Sequence, residues 1–275
     1  MKRIPLSRGV ALLPNLFTTG SLFCGFYAMV RAISGDFFDA ALAIGFCSLF
    51  DMLDGRIARM TKSESDFGVE YDSLVDLSSF GIAPGILIYV WSLADFQRIG
   101  WLAVFLYVAC AALRLARFNV QLQSVEKKRF QGLPTPAAAL LLASLVLLYE
   151  SGYGPDGFKG SLSVGLTFLL GPLMVSQIRY RSFKDLDLKS PNAFYFLVAA
   201  VGLILVLALH PEFMPFIVFS TYVLSGPAEE ILFLRKKAGE AVSAKLRRKH
   251  WPKANLVSLE GKRRESYHEG SGKDL

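Results

Sequence analysis

The stretch from Asp51 to Asp76 reads D-M-L-D-G-R-I-A-R over residues 51–59, then eight residues, then G-V-E-Y-D-S-L-V-D over residues 68–76. It sets Asp51, Asp54, Gly55, Ala58, Arg59, Gly68, Asp72 and Asp76 at defined intervals, with apolar sequence on both sides. If both flanks are helical, Asp51 and Asp54 stand three apart and Asp72 and Asp76 four apart, so each pair shares a helix face. Two consecutive helices then project two carboxylates each. Four acids facing one another at the end of apolar helices repel and resist desolvation unless cations lie between them. Every candidate ligand is an oxygen, with no His or Cys in the stretch, which favours a hard divalent ion such as Mg²⁺ or Mn²⁺ over zinc or copper. Gly55 and Gly68 clear space beside the aspartates for a ligand to approach the backbone, and Arg59 offers a planar fork for a phosphate oxygen. Taken singly, each aspartate could instead cap a helix or pair with Arg56 or Arg59 on a solvated face. As an array inside apolar sequence, ionisable groups of this kind point to function.

The spaced series Asp51-x-x-Asp54-Gly55-x-x-Ala58-Arg59-x8-Gly68-x-x-x-Asp72-x-x-x-Asp76 resembles the full signature of the CDP-alcohol phosphotransferases and departs from it at none of its eight positions. The resemblance implies a membrane enzyme that moves a phosphatidyl group from a CDP-linked lipid to an alcohol and releases CMP. Three flanking segments, P-N-L-F-T-T-G-S-L-F-C-G-F at 14–26, A-L-R-L-A-R-F-N at 112–119 and F-Q-G-L-P-T-P-A-A-A at 130–139, narrow the likeness to the bacterial and archaeal phosphatidylserine synthases of that superfamily. Membership implies CDP-diacylglycerol as donor, L-serine as acceptor and a homodimer. It further implies two divalent ions, Mn²⁺ or Mg²⁺, bridged by Asp51, Asp54, Asp72 and Asp76, with Asp76 as general base toward the serine hydroxyl. Gly55, Ala58 and Gly68 are then expected to line the cytidine site with Asn15 nearby, and Arg59 to contact phosphate. Arg114 or Arg117 is the expected cation for the acceptor's carboxylate.

The chain around this array is built for a membrane. Of its 275 residues, 53% are hydrophobic, and they come in long blocks at 11–33, 38–58, 68–92, 99–119, 134–150, 161–178, 193–209 and 213–234. Most approach the ~20 residues that cross a hydrocarbon core. The fold class expected is an all-α polytopic membrane protein of about eight transmembrane helices. With the N-terminus inside, every basic residue except Arg31, Arg98 and Lys159 falls on the cytoplasmic side. The positive-inside rule therefore predicts cytoplasmic N- and C-termini and an aspartate array that faces the cytoplasm from the cell membrane. The first block is too long for a signal h-region and is expected to remain as the first helix.

Residues 1–234 read as the transmembrane domain and 235–275 as a basic, partly disordered cytoplasmic tail. The tail holds 12 basic and 5 acidic residues, a balance equal to the whole chain's net +7. Arg235, Lys236 and Lys237, with the bases from Lys245 to Lys249, are expected to contact anionic membrane lipids and not nucleic acid. Cys24, Cys47 and Cys110 lie in apolar blocks without CxxC spacing and read as packing residues.

Other polar positions leave two readings open. Asn15, Thr18 and Thr19 suit either a headgroup or nucleotide contact or a helix terminus. Arg114 and Arg117, one turn apart, suit either an anionic substrate group or snorkelling to lipid phosphate. Gly132, Pro134 and Pro136 suit either a pocket wall or a helix start. The serines and aspartate of the polar link T-K-S-E-S-D at 61–66 can cap the third helix, G-I-A-P-G at 81–85 has spacing for close helix contact, and Pro84 is expected to kink that helix. Two rival functions remain. One is the same chemistry with glycerol 3-phosphate or inositol phosphate, whose phosphate demands a denser basic pocket. The other is an ion-coupled transporter, which expects midplane carboxylates and a repeat that this sequence lacks.

Overall fold

The computed structural model describes residues 8–61, 65–123, 132–155, 157–178, 180, 202 and 209–250, and among these residues every regular element is helical. Eight α-helices are described: α1 (Arg8–Ile33), α2 (Phe37–Thr61), α3 (Asp66–Asp76), α4 (Ala83–Ile88), α5 (Gln97–Gln123), α6 (Thr135–Glu150), α7 (Lys159–Val175) and α8 (Met214–His250). Three helical runs are long and apolar enough to cross a membrane, Leu13–Ile33, Asp66–Gln121 and Met214–Lys237. Runs of this kind make a multi-pass membrane protein. The α2 helix has the length, 25 residues, but carries Asp39, Asp51, Asp54, Arg56 and Arg59. Helices α6 and α7 have 16 and 17 residues, a little short of a full crossing. Most of the expected seventh span, 193–209, lies outside the described residues.

The run Asp66–Gln121 is 56 residues long and folds back on itself at Gln97, whose φ of 45° is the only positive value at a non-glycine among the described residues. Gly100 permits the reversal, because a Cβ there would sit 1.9 Å from the Leu93 carbonyl oxygen. From this turn the two arms run antiparallel. Gly81 lies against Ala111, and Gly85 against Val104 and Val108. The glycines of G-I-A-P-G thus form the close seam that their spacing predicts, which suits a bilayer, where packing and not water expulsion holds helices together.

Around Pro84 the chain does not simply kink. Residues Leu77–Ile82 form a π-helical turn, in which the Ala83 N–H donates to the Ser78 carbonyl five residues back. A second π turn follows at Tyr89–Leu93 and a 3₁₀ turn at Ala94–Phe96. Proline has no N–H for the carbonyl four residues earlier, here Phe80. That carbonyl instead accepts from the Tyr107 hydroxyl at 2.8 Å, and Tyr107 is fully buried.

Helices α1 and α2 form a tight antiparallel pair through small residues, with Ala28, Ala32, Ala40, Ala41 and Ala43 all buried. Reciprocal bonds join them, from Ser21 Oγ to the Cys47 carbonyl at 3.3 Å and from Cys47 Sγ to the Ser21 carbonyl at 3.4 Å. The same Ser21 carbonyl accepts from Ser79 Oγ at 3.2 Å, tying the first π turn to the pair. Cys47 is thus a packing residue with a weak hydrogen bond, as expected of a buried thiol.

The entry to α6 docks on the last turn of α7. Gly132 N–H donates to the Ile178 carbonyl at 2.8 Å and Leu133 N–H to the Leu173 carbonyl at 3.0 Å. Gly132 has φ +87°, and a Cβ there would lie 2.2 Å from the Met174 carbonyl oxygen, so glycine is required on both counts. The chain divides into two compact units, Met1–Pro227 and Ala228–Leu275, with the division at Pro227 inside α8.

Candidate active site

The loop between α2 and α3 sets the geometry of the aspartates. Ser65 caps α3 by accepting the Gly68 N–H at 3.1 Å, which fixes where the helix begins and so where Asp72 and Asp76 point. Asp51 comes from the second half of α2 and Asp72 and Asp76 from α3, and their carboxylate oxygens lie within 4.8 Å of one another, all three partly buried. Asp54, one turn beyond Asp51, stands just outside that trio. It is 5% exposed, and its Oδ2 finds no hydrogen-bond partner among the described residues. Thr18 of α1 lies beside it, and Asp51 and Asp72 are within electrostatic range.

This arrangement fits a divalent cation. Like-charged carboxylates at such separations repel in a poorly solvated setting, and a buried acid oxygen without a donor costs free energy until something positive meets it. The donors are all hard oxygens, the ligand set of Mg²⁺, Mn²⁺ or Ca²⁺. The sequence pattern treats the four aspartates as equals, whereas the structure brings three together and leaves the fourth outside that group.

The glycines differ in role. A Cβ on Gly55 would meet nothing within 4 Å, so the space beside it is open. A Cβ on Gly68 would approach Ser65 Oγ at 3.1 Å and Asn15 Oδ1 at 3.4 Å, which places Asn15 of α1 against the start of α3. Ala58 is partly exposed on α2. Arg59 is exposed and folds its Nε back onto the Gly55 carbonyl at 2.8 Å. Thr19 donates to the Asn15 carbonyl at 2.7 Å and lies 3.0 Å from the Tyr71 hydroxyl, so α1 and α3 are laced together beside Asp72.

Arg114 and Arg117 are both turned toward the C-terminal end of α7. Arg114 Nη1 donates to the Met174 carbonyl at 3.4 Å and Arg117 Nη1 to the Val175 carbonyl at 3.0 Å. Cations there satisfy helix-end carbonyls and meet the negative end of the helix dipole. Of the two, Arg114 is half-buried and within electrostatic range of Asp76 and Tyr222, while Arg117 is exposed.

One polar cluster escaped the sequence reading. Asn119 Nδ2 donates to Glu70 at 3.2 Å, and its Oδ1 accepts from Ser73 Oγ at 3.0 Å, so α3 is held to α5 on the flank opposite Tyr71. The available signal was Asn119 itself, an amide at the end of A-L-R-L-A-R-F-N with Glu70 and Ser73 one turn apart on the facing helix.

With the carboxylates converging at the ends of apolar helices, the comparison with known proteins is decisive. The CDP-alcohol phosphatidyltransferase family matches residues 11–177, which include all four aspartates. The chain belongs to this family. Members similar to it include the CDP-diacylglycerol--serine O-phosphatidyltransferase of Helicobacter pylori strain J99, 42% identical over 173 residues, 63% of this chain and 73% of that protein. The Methanocaldococcus jannaschii protein of the same name is 37% identical over 166 residues, 60% of this chain and 71% of its own. The archaetidylserine synthase of Methanothermobacter thermautotrophicus is 37% identical over 171 residues, 61% of this chain and 69% of its own. In this chain the carboxylate oxygens of Asp51, Asp72 and Asp76 lie close enough together to hold a metal ion.

Proposed function

We propose that this chain is a CDP-diacylglycerol–serine O-phosphatidyltransferase, which moves the phosphatidyl group of CDP-diacylglycerol to the hydroxyl of L-serine and releases CMP. The observation that carries this reading is the convergence of Asp51, Asp72 and Asp76 beside the buried Asp54, whose Oδ2 has no hydrogen-bond partner among the described residues, in a chain whose relatives bear that activity in their names.

Asp51, Asp54, Asp72 and Asp76 would hold two divalent ions, Mg²⁺ or Mn²⁺. Bound there, such ions supply positive charge to the diphosphate and to the oxygen leaving with CMP. Asp76 takes the proton from the serine hydroxyl as the new oxygen–phosphorus bond forms and the bond to the CMP phosphate breaks. Gly55, Ala58 and Gly68 leave room for the cytidine, with Asn15 at its edge, and Arg59 swings from the Gly55 carbonyl to a phosphate oxygen. For the serine carboxylate, Arg114 is better placed than Arg117, since it is the less exposed and senses Asp76.

An apolar groove supports the lipid end of the substrate. It has a volume of about 550 Å³ and runs along α1 from Thr19 past Phe23 and Phe26 to Met29, closed on the other side by Ser78 and Ile82. Its polar mouth, Thr19, is the residue that meets Tyr71 beside Asp72, so an acyl chain lying in it stays joined to a headgroup at the carboxylates.

The topology follows from the charges: eight spans, both termini in the cytoplasm and a site facing the cytoplasm from the cell membrane. We place the boundary of the transmembrane domain at 234 and read 235–275 as a tail that meets anionic headgroups, beginning with the exposed Arg235, Lys236 and Lys237. A homodimer completes the reading. The test is CMP release by purified protein given CDP-diacylglycerol and Mn²⁺ or Mg²⁺, with L-serine, glycerol 3-phosphate or inositol phosphate added one at a time. Release that needs both serine and metal is expected; release that follows another acceptor would overturn the serine assignment.

A further inference from the structure

The carboxylates of α3 depend on a helical turn that contains none of them. Asp72 and Gly81 are nine residues apart, as are Asp76 and Gly85. In a regular α-helix nine residues carry a side chain about half a turn round, at ~100° each, so the aspartate face would look directly away from the glycine face. The glycine face is fixed, because Gly81 and Gly85 are packed against Ala111, Val104 and Val108 of α5. The π turn at Leu77–Ile82 contains Gly81 and lies wholly between Asp76 and Gly85. A π turn takes up one extra residue, which rotates the helix on its N-terminal side by about 100° relative to the helix on its C-terminal side. In that rotated position Asp72 and Asp76 meet Asp51 of α2.

We propose that Pro84 and Tyr107 are positioning residues for the carboxylate cluster. They hold the π turn that aims Asp72 and Asp76 at α2. Pro84 cannot donate to the Phe80 carbonyl, and the buried Tyr107 hydroxyl takes the place of the missing N–H at 2.8 Å. Ser79, bonded to the Ser21 carbonyl at 3.2 Å, pins the same turn to α1. An alanine at 84 restores the N–H that the α pattern needs, and removal of the Tyr107 hydroxyl leaves the Phe80 carbonyl to that N–H. The pair of changes therefore favours a regular helix that swings the aspartates away from Asp51. This inference rests on the reading of the cluster as a cation site only for its first measurement.

The test compares the full-length wild type, Tyr107→Phe and the double variant Tyr107→Phe/Pro84→Ala by Mn²⁺ affinity, thermal midpoint and the distance between spin labels at Met52 and Leu74, with the native cysteines replaced by alanine. Both label sites are exposed, at 48% and 68%. Tyr107→Phe should lower the midpoint, since it strands a buried carbonyl. The double variant should recover the midpoint yet bind Mn²⁺ at least about tenfold more weakly, the usual scale for losing the support of a ligand, with a label distance shifted from the wild type. A merely structural role would make affinity follow stability, and the double variant would then recover both. Wild-type label distances retained in the double variant would overturn the inference. If the wild type itself binds no Mn²⁺, the cation reading fails and the label distances alone decide the matter of the π turn.

Discussion

The α1–α2 pair carries acids at both ends, and the two ends treat them in opposite ways. At the connection between the helices, Arg31 meets Asp36 at 3.0 Å and also Asp39, so each acid has a cation from the same pair. At the far end Asp51 converges with Asp72 and Asp76, and Asp54 is buried with an unsatisfied oxygen. An acid neutralised by its neighbour stabilises a turn, whereas acids gathered on other acids make a site that a cation can join. A similar contrast holds at the end of α6, where Glu150 accepts from Trp91 Nε1 at 2.7 Å and Lys159 lies over the Trp91 ring at 4.2 Å.

The strongest way to break this contrast is to remove one acid from each end. Asp76→Asn should lower serine-dependent CMP release by about 10²–10⁴-fold, the usual worth of a positioned base, while CDP-diacylglycerol still binds. Asp39→Asn should leave turnover near the wild-type rate, and equal losses in the two would erase the distinction. Asp54→Asn comes next. Divalent-ion affinity should fall by about 10- to 100-fold, and in EDTA the thermal midpoint should rise, since a buried charge with an unmet oxygen has been made neutral. A midpoint that falls in EDTA would mean that Asp54 is already compensated within the fold. Gly68→Ala should raise the KM for CDP-diacylglycerol severalfold with a smaller change in kcat, because the new Cβ presses on Ser65 and Asn15. The smallest effect on activity belongs to Arg31→Ala, which should lower the thermal midpoint and leave kcat/KM intact. A loss of kcat/KM there would join the two ends that the charges keep apart.

Much of this was legible because it depended on neighbours in the chain. The spacing of Asp72 and Asp76 placed them on one helix face, the polar link at 61–66 announced a cap that Ser65 supplies, and G-I-A-P-G announced a close seam that Gly81 and Gly85 make with α5. What was not legible depended on partners far away in sequence. Arg114 and Arg117 meet carbonyls about 60 residues further on, at the end of α7, and no local pattern predicts which helix end will lie there. Asn119 joins Glu70 and Ser73 across 46 to 49 residues. Pro84 was visible as an irregularity, but whether it would kink the helix or widen it was settled by Tyr107, which supplies the donor that proline lacks.

By itself the sequence determined the helical character of the described blocks, the chemistry of the ligands and the pairing of acids on each helix, since apolar length, side-chain type and a period of 3.6 residues are local properties. Only the tertiary structure decided that Asp51, Asp72 and Asp76 would converge while Asp54 stood outside that group. That outcome turns on the rotation of α3 about its own axis, and the rotation is set by a π turn and a tyrosine from another helix.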